Sequence, residues 1–217
     1  MLLQQIADYA IKEQTAKLPP EVIHHAKRAV IDWYAALLPG SIVAPATLLE
    51  QAFADDLDRG KARLARGRRA TIRTAALING AASHSVEFDD IHRDSGYHPG
   101  SPTISAALAV AQGTGATGEQ FLRAVIVGYE TSTRIGEAVM PSHYNFWHTT
   151  GTVGSFGAAA SAATANLLRH SLTENWSNFS MGSCDTPITV APAAVYWSIA
   201  SAKLCASIVQ PGVKAAG

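Results

Sequence analysis

Three observations predict an all-α protein. Apolar residues recur at intervals of three and four along most of the 217-residue chain, and alternating runs bounded by hairpin turns are absent before about residue 170. The 39 alanines supply side chains small enough for helix axes to approach closely. The expected architecture is a compact, alanine-rich helical bundle.

The elements follow in order. A first helix is expected near residues 2–15. Pro19 and Pro20 suit a helix start, and Val22, Ile23, Ala26, Ala29, Val30, Trp33 and Leu37 form one apolar stripe that ends at Pro39 and Gly40. Further helices are expected at about 44–58 and 70–87. Ser101 followed by Pro102 reads as an N-cap with proline at the first helical position, for a helix to about residue 112. Thr117 with Gln120 is a capping box, opening a helix to about Val139 whose polar side pairs Glu119 with Arg123 and Glu130 with Arg134. Pro141 breaks the pattern before a last helix over 149–168.

Charge and composition exclude several function classes. Lys and Arg number 17, Asp and Glu 17, and the charged fraction of 16% is well below the roughly one quarter usual in soluble domains. Zero net charge argues against general affinity for nucleic acid or anionic membrane, which needs basic excess. The opening MLLQQIADYAIKEQ carries Asp8, Lys12 and Glu13 and lacks the pattern of a signal or transit peptide, so a cytoplasmic location is expected. The uncharged stretch 149–168 is mostly Ala, Gly, Ser and Thr, the composition of a closely packed soluble helix and not of a bilayer span. Cys184 and Cys205 are too few for an all-cysteine metal cage, and a structural disulfide is not expected in a cytosolic setting. Seven basic residues crowd 59–73 without interleaved aromatics, which reads as a solvated loop and helix start.

Composition changes near residue 170. Residues 1–170 carry 30 charges, whereas 171–217 carry four: Glu174, Asp185, Lys203 and Lys214. The expected division is a helical domain over 1–170 and a divergent tail over 171–217.

The segment HSVEFDDIHRDSGYHPGSPT, over 84–103, packs acids and histidines into a helix end and the loop after it. His98 in this segment and His148 in NFWHTTG each precede an expected helix start. Free N–H groups and the dipole at such starts attract carboxylates, and Ser101, Thr103, Thr149 and Thr150 add hydroxyls. The positive helix end also disfavours imidazolium, which suits a histidine to act as a general base. The pattern points to proton abstraction α to a carboxylate, followed by loss of a β-substituent.

ALING over 76–80, HSVEFDD over 84–90, HPG over 98–100, GYE over 128–130 with RIG over 134–136, and HTTG over 148–151 together resemble the MmgE/PrpD family. That family includes 2-methylcitrate dehydratase, cis-aconitate decarboxylase and iminodisuccinate epimerase. The resemblance covers roughly residues 3–168. It implies a helical domain, a second lid domain, a homodimer, and cofactor-free and metal-free lyase chemistry on a small di- or tricarboxylate, of the 2-methylcitrate dehydratase type. By position, it places the family's active-site acid on Glu87 and its histidines on His98 and His148. Asp89 and Asp90 fall on the family's acidic pair, expected to fix the loop as well as touch substrate, with Ser101, Thr149 and Thr150 as further substrate contacts. The family's lysines and lid cannot be placed on Lys203 or Lys214, so the expectation is a truncated chain, lacking the lid domain and with little or no turnover.

Two readings of other classes stand beside this one. A bundle that keeps only the dimer surface would be a non-enzymatic association module. A metal-dependent all-α enzyme would use the cluster of Asp89, Asp90 and His92, with His98 as a further ligand. The acidic run of Asp89, Asp90 and Asp94 also resembles the Mg²⁺-binding motif of isoprenoid synthases, but its third carboxylate is one residue out of step and no second motif accompanies it.

Overall fold

The computed structural model describes residues 2–13 and 15–166, and it is mainly helical. The expected 171–217 tail, with both cysteines and Lys203 and Lys214, lies outside the described residues. Seven α-helices run in the order α1 (Leu2–Glu13), α2 (Pro20–Gly40), α3 (Ala46–Ala52), α4 (Ile72–His84), α5 (Gly100–Thr114), α6 (Gly118–Val139) and α7 (Thr149–Asn166). Among the described residues no helix is long and apolar enough to cross a membrane.

Packing follows from side-chain size. α5 is buried on almost every side, which its run of Gly, Ser, Thr and Ala permits, and α4 and α7 flank it. α2 covers α4, α6 lies along α7, and α1 lies on α6 and α7. Trp33, Leu37, Ile78, Ile104, Val110 and Val125 fill the main core. The Trp33 indole N–H donates to Ser105 Oγ at 3.1 Å, so its one polar group is satisfied inside. Arg123 on α6 donates to the carbonyls of Glu13 and Ala16 at 2.9 and 2.8 Å, which fixes the end of α1.

Several boundaries obey the local signals. Pro20 opens α2 behind Pro19, and the Thr117–Gln120 capping box opens α6 with both reciprocal bonds formed. Thr71 caps α4 by accepting from the Thr74 N–H. The start of α5 differs from expectation. It begins at Gly100 with Pro99 before it, and Ser101 does not cap it; the Ser101 hydroxyl instead donates to the Gly80 carbonyl of α4 at 2.8 Å. Capping is supplied by Asp90, whose Oδ1 accepts the Gly100 N–H at 3.0 Å from outside the helix.

The absence of hairpins is also corrected. The expected helix over 44–58 stops at Ala52, and an antiparallel pair follows, β1 (Leu57–Arg63) and β2 (Arg69–Ala70), with an irregularity between Leu57 and Ala62. Along β1 only Leu57 and Ala62 are buried, so charged residues mask any alternation. Helix side chains hold the hairpin in place: Asn79 of α4 accepts from Ala65 N–H and donates to the Arg63 carbonyl, and Gln112 of α5 accepts from Arg63 N–H. Three of the seven basic residues are ion-paired, Arg66 with Glu50, Arg68 with Asp58 and Arg73 with Asp56.

Candidate functional site

α4 ends at His84, and the chain crosses to α5 through a loop that holds most of the acids and histidines singled out in the sequence. The loop is closed by its own backbone: His92 and Tyr97 exchange hydrogen bonds of 2.8 and 3.3 Å around a short turn at Arg93–Ser95, and Gly96 takes the left-handed conformation (φ 53°) that the reversal needs. Tyr97 is fully buried beneath it. These contacts deliver His98 to the foot of α5.

A second helix start arrives at the same place. The His98 backbone N–H donates to Thr150 Oγ1 in the first turn of α7, at 3.1 Å, and His148 lies just before that helix. The His148 ring is 6.4 Å from that of His84 and 5.7 Å from that of Tyr144, and its side chain is exposed. The expectation that His98 and His148 each precede a helix agrees with the structure, which brings both helix starts together.

The centre of the cluster is Asp89. Its Oδ2 is 2.7 Å from His84 Nδ1 and 3.5 Å from His98 Nδ1, and the two rings meet edge to face with centroids 5.0 Å apart. Burial pushes the Asp89 carboxyl up, but the two imidazoles beside it outweigh that and hold it down to about 2. Asp90 has the opposite character. Burial drives its carboxyl up to about 6, against the opposing effect of hydrogen bonds from the Tyr129 hydroxyl (2.9 Å) and the Gly100 N–H. Two adjacent aspartates are thereby separated in acidity by their surroundings alone.

The remaining expected residues fall in different places. Glu87 is exposed, next to the cluster in sequence, and takes a left-handed backbone conformation with φ 58°. Ser101, Thr149 and Thr150 are fully or nearly fully buried, and their hydroxyls contact Gly80, Met140 and the His98 N–H respectively, which makes them struts between helices in this structure. His92 does not join the cluster: its ring meets Ser95 Oγ at 2.9 Å and Glu137 at 3.6 Å. The metal grouping of Asp89, Asp90 and His92 is therefore not assembled, because Asp90 faces Gly100 and Tyr129 instead. His84, Asp89 and His98 do offer donor atoms within 4.8 Å of one another, but the 2.7 Å His84–Asp89 contact is a hydrogen bond.

His84 is the site residue that sequence reasoning missed. It sits at the end of a helix whose last eleven residues are all buried, so a polar ring there must find an internal partner. That reasoning was available from the run IRTAALINGAASH, five positions before Asp89.

Comparison with known proteins bears on the family. The description "MmgE/PrpD N-terminal domain" matches residues 4–189, beyond the stretch in which the sequence alone shows resemblance. The chain is 30% identical over 174 residues to the cis-aconitate decarboxylase-like protein oryM of Aspergillus oryzae, covering 76% of this chain and 36% of that one. It is 31% identical over 173 residues to the cis-aconitate decarboxylase of Aspergillus terreus, covering 76% and 35%. The chain spans about a third of the length of these relatives. With a match across most of its length and the motif residues gathered at two helix starts, the chain belongs to the MmgE/PrpD family, whose N-terminal domain it carries.

Proposed function

We propose that this site takes part in acid/base lyase chemistry on a small di- or tricarboxylate, of the dehydratase type. The observation that carries the reading is the meeting of two helix starts, each with its histidine, around one ionised buried aspartate. Helix starts favour carboxylate groups through N–H donors and the dipole; at α5 the Gly100 N–H already serves Asp90, which leaves the first turn of α7 to donate to a substrate. His98, a fifth of whose side chain is exposed, takes a proton from the carbon α to a carboxylate. The electron pair of that C–H bond then forms the C=C bond, and the β-hydroxyl leaves as water with a proton from His148. Glu87, exposed and two residues before Asp89, is the carboxylate assigned to accept from a substrate hydroxyl or share in that proton transfer. Decarboxylation is the competing outcome, supported by what the relatives are named for: the C–C bond to a carboxylate breaks, carbon dioxide leaves, and the carbon takes a proton from the same histidines.

The test is a titration of the purified chain with 2-methylcitrate, citrate and cis-aconitate, following histidine ring signals by NMR and both water loss and carbon dioxide release. The expected result is saturable shifts of His98 and His148. Any turnover should fall by about 10² to 10⁴ in His98→Ala. Carbon dioxide release in place of water loss would replace dehydration by decarboxylation. No shift of either ring with any of the three acids overturns the reading, and the bundle then stands as an association module.

A further inference from the structure

We propose that His84 is a positioning residue for proton transfer at His98, acting through the one carboxylate that both rings face. The inference rests on the acid/base reading above and deepens it. Asp89 Oδ2 makes its short contact, 2.7 Å, with the buried ring of His84 and its longer one, 3.5 Å, with the more exposed ring of His98. The nearer, stronger bond thus goes to the ring with less access to solvent. Asp89 Oδ1 is buried with no hydrogen-bond partner among the described residues, so no second contact there orients the carboxylate. The bond from His84 is what fixes it.

The protonation of both rings follows from these contacts. A carboxylate oxygen facing Nδ1 favours a proton on that nitrogen and leaves the lone pair on Nε2. For His84 the far side agrees: its Nε2 is buried without a partner among the described residues, and an imidazolium there would bury a charged N–H with nothing to accept it. His84 therefore donates through Nδ1 to Oδ2. By donating to Oδ2 it draws negative charge from the oxygen that faces His98, so His98 is a weaker base than in an aspartate–histidine pair of its own. His98 then keeps its proton on Nδ1 and accepts the substrate proton on Nε2.

The titratable groups around this pair are few. Asp90 and Glu87 lie in the same loop, with Tyr129 of α6 against Asp90, and Asp32 of α2 acts on Asp90 at longer range. Tyr97 precedes His98, and His148 approaches from the start of α7 with Tyr144 beside it. Asp89 and His84 both contact the His98 ring.

The experiment is a ¹H–¹⁵N histidine ring titration of the ligand-free chain, between about pH 5 and 9, in wild type and three variants. Wild type should show His98 as the Nδ1–H tautomer. His84→Leu should raise the His98 midpoint by about one pH unit, a tenfold gain in proton affinity. His84→Asn places an amide N–H where the ring Nδ1–H was and should restore the wild-type midpoint. Asp89→Asn should lower the midpoint by about a unit or more. A wild-type Nε2–H tautomer at His98, an unchanged midpoint in a folded His84→Leu, or a His84→Asn midpoint displaced as far as that of leucine each overturns the proposal. If His84→Leu does not fold, the asparagine variants decide it, and a His98 midpoint unmoved by Asp89→Asn overturns it. No ligand is present, so failure of the carboxylic acids to bind leaves this result standing, whereas normal ligand binding with an unmoved titration removes His84 alone.

Discussion

The backbone N–H of His98 donates to Thr150 Oγ1 across 52 positions of sequence, at 3.1 Å. Beside the packing of the two helices and the Ser161–Thr103 bond, this contact ties the foot of α5 to the first turn of α7, from which His148 approaches the buried His84–Asp89 pair. Thr150→Val keeps the shape and removes the acceptor. An unsatisfied N–H in this half-buried position should cost about 1–3 kcal/mol, read as a lower urea midpoint with an unchanged slope. Thr150→Ser, which keeps the oxygen, should lose much less. Equal losses in both variants would mean that the threonine methyl, and not the bond, matters.

Asp90 makes the stability of the domain depend on pH in a direction opposite to most carboxylates. Its folded value near 6 lies above the ordinary 3.8, so between those limits the folded protein binds more protons than the unfolded chain. The contribution of Asp90 is fully present below about pH 4 and is lost as pH rises through 6. Asp90→Asn keeps an acceptor for Gly100 and abolishes that loss. The stability of the variant relative to wild type should rise between pH 4 and 7 by on the order of 3 kcal/mol, from the shift of about two pH units. A difference that is flat across this range would show that Asp90 titrates normally.

Close approach of helices rests on single missing methyl groups. A Cβ at Gly157 on α7 would lie 2.7 Å from Thr103 Oγ1 and 2.8 Å from Ser132 Oγ, whereas one at Gly151 on the same helix meets nothing within 4 Å. Gly157→Ala should destabilise the domain by about 1–3 kcal/mol, because both neighbours are buried and cannot move away. Gly151→Ala should be neutral or stabilise it by up to about 1 kcal/mol through helix propensity. Thermal unfolding of the two variants side by side checks the contrast, and similar losses in both would remove the packing argument.

What the sequence made legible was set by short-range physics. The capping box at Thr117, the proline start of α2 and the apolar stripe through Trp33 are local patterns, and each element begins or packs as they require. The density of acids and histidines over 84–98 likewise marked the loop that forms the cluster. Partners far apart in sequence were not legible. The β1–β2 hairpin is held by Asn79 and Gln112 from two helices, and α5 is capped by Asp90 instead of by Ser101 beside its own start. The apolar run of α4 marks His84 as a ring in need of an internal partner, but which carboxylate meets it depends on a loop folding back over the end of α4 to bring Asp89 to that ring. Position in a motif placed Glu87 at the site, yet nothing in the motif indicated its left-handed backbone.

That backbone gives Glu87 a testable double character. With φ 58° it occupies a conformation that costs a residue bearing a Cβ about 1–2 kcal/mol and costs glycine very little. Glu87→Gly should therefore raise the stability of the domain by about 1 kcal/mol while removing a carboxylate two residues from Asp89. If Glu87 takes part in handling a polycarboxylate, the same variant should lose turnover, or change the ligand-induced shifts of His98 and His148, as it gains stability. Glu87→Ala separates the two effects, because it removes the carboxylate and keeps the strain. A gain in stability in Glu87→Gly alone, with ligand response unchanged in both variants, would show that the left-handed residue at this position serves the loop alone, and would take Glu87 out of the proposed chemistry.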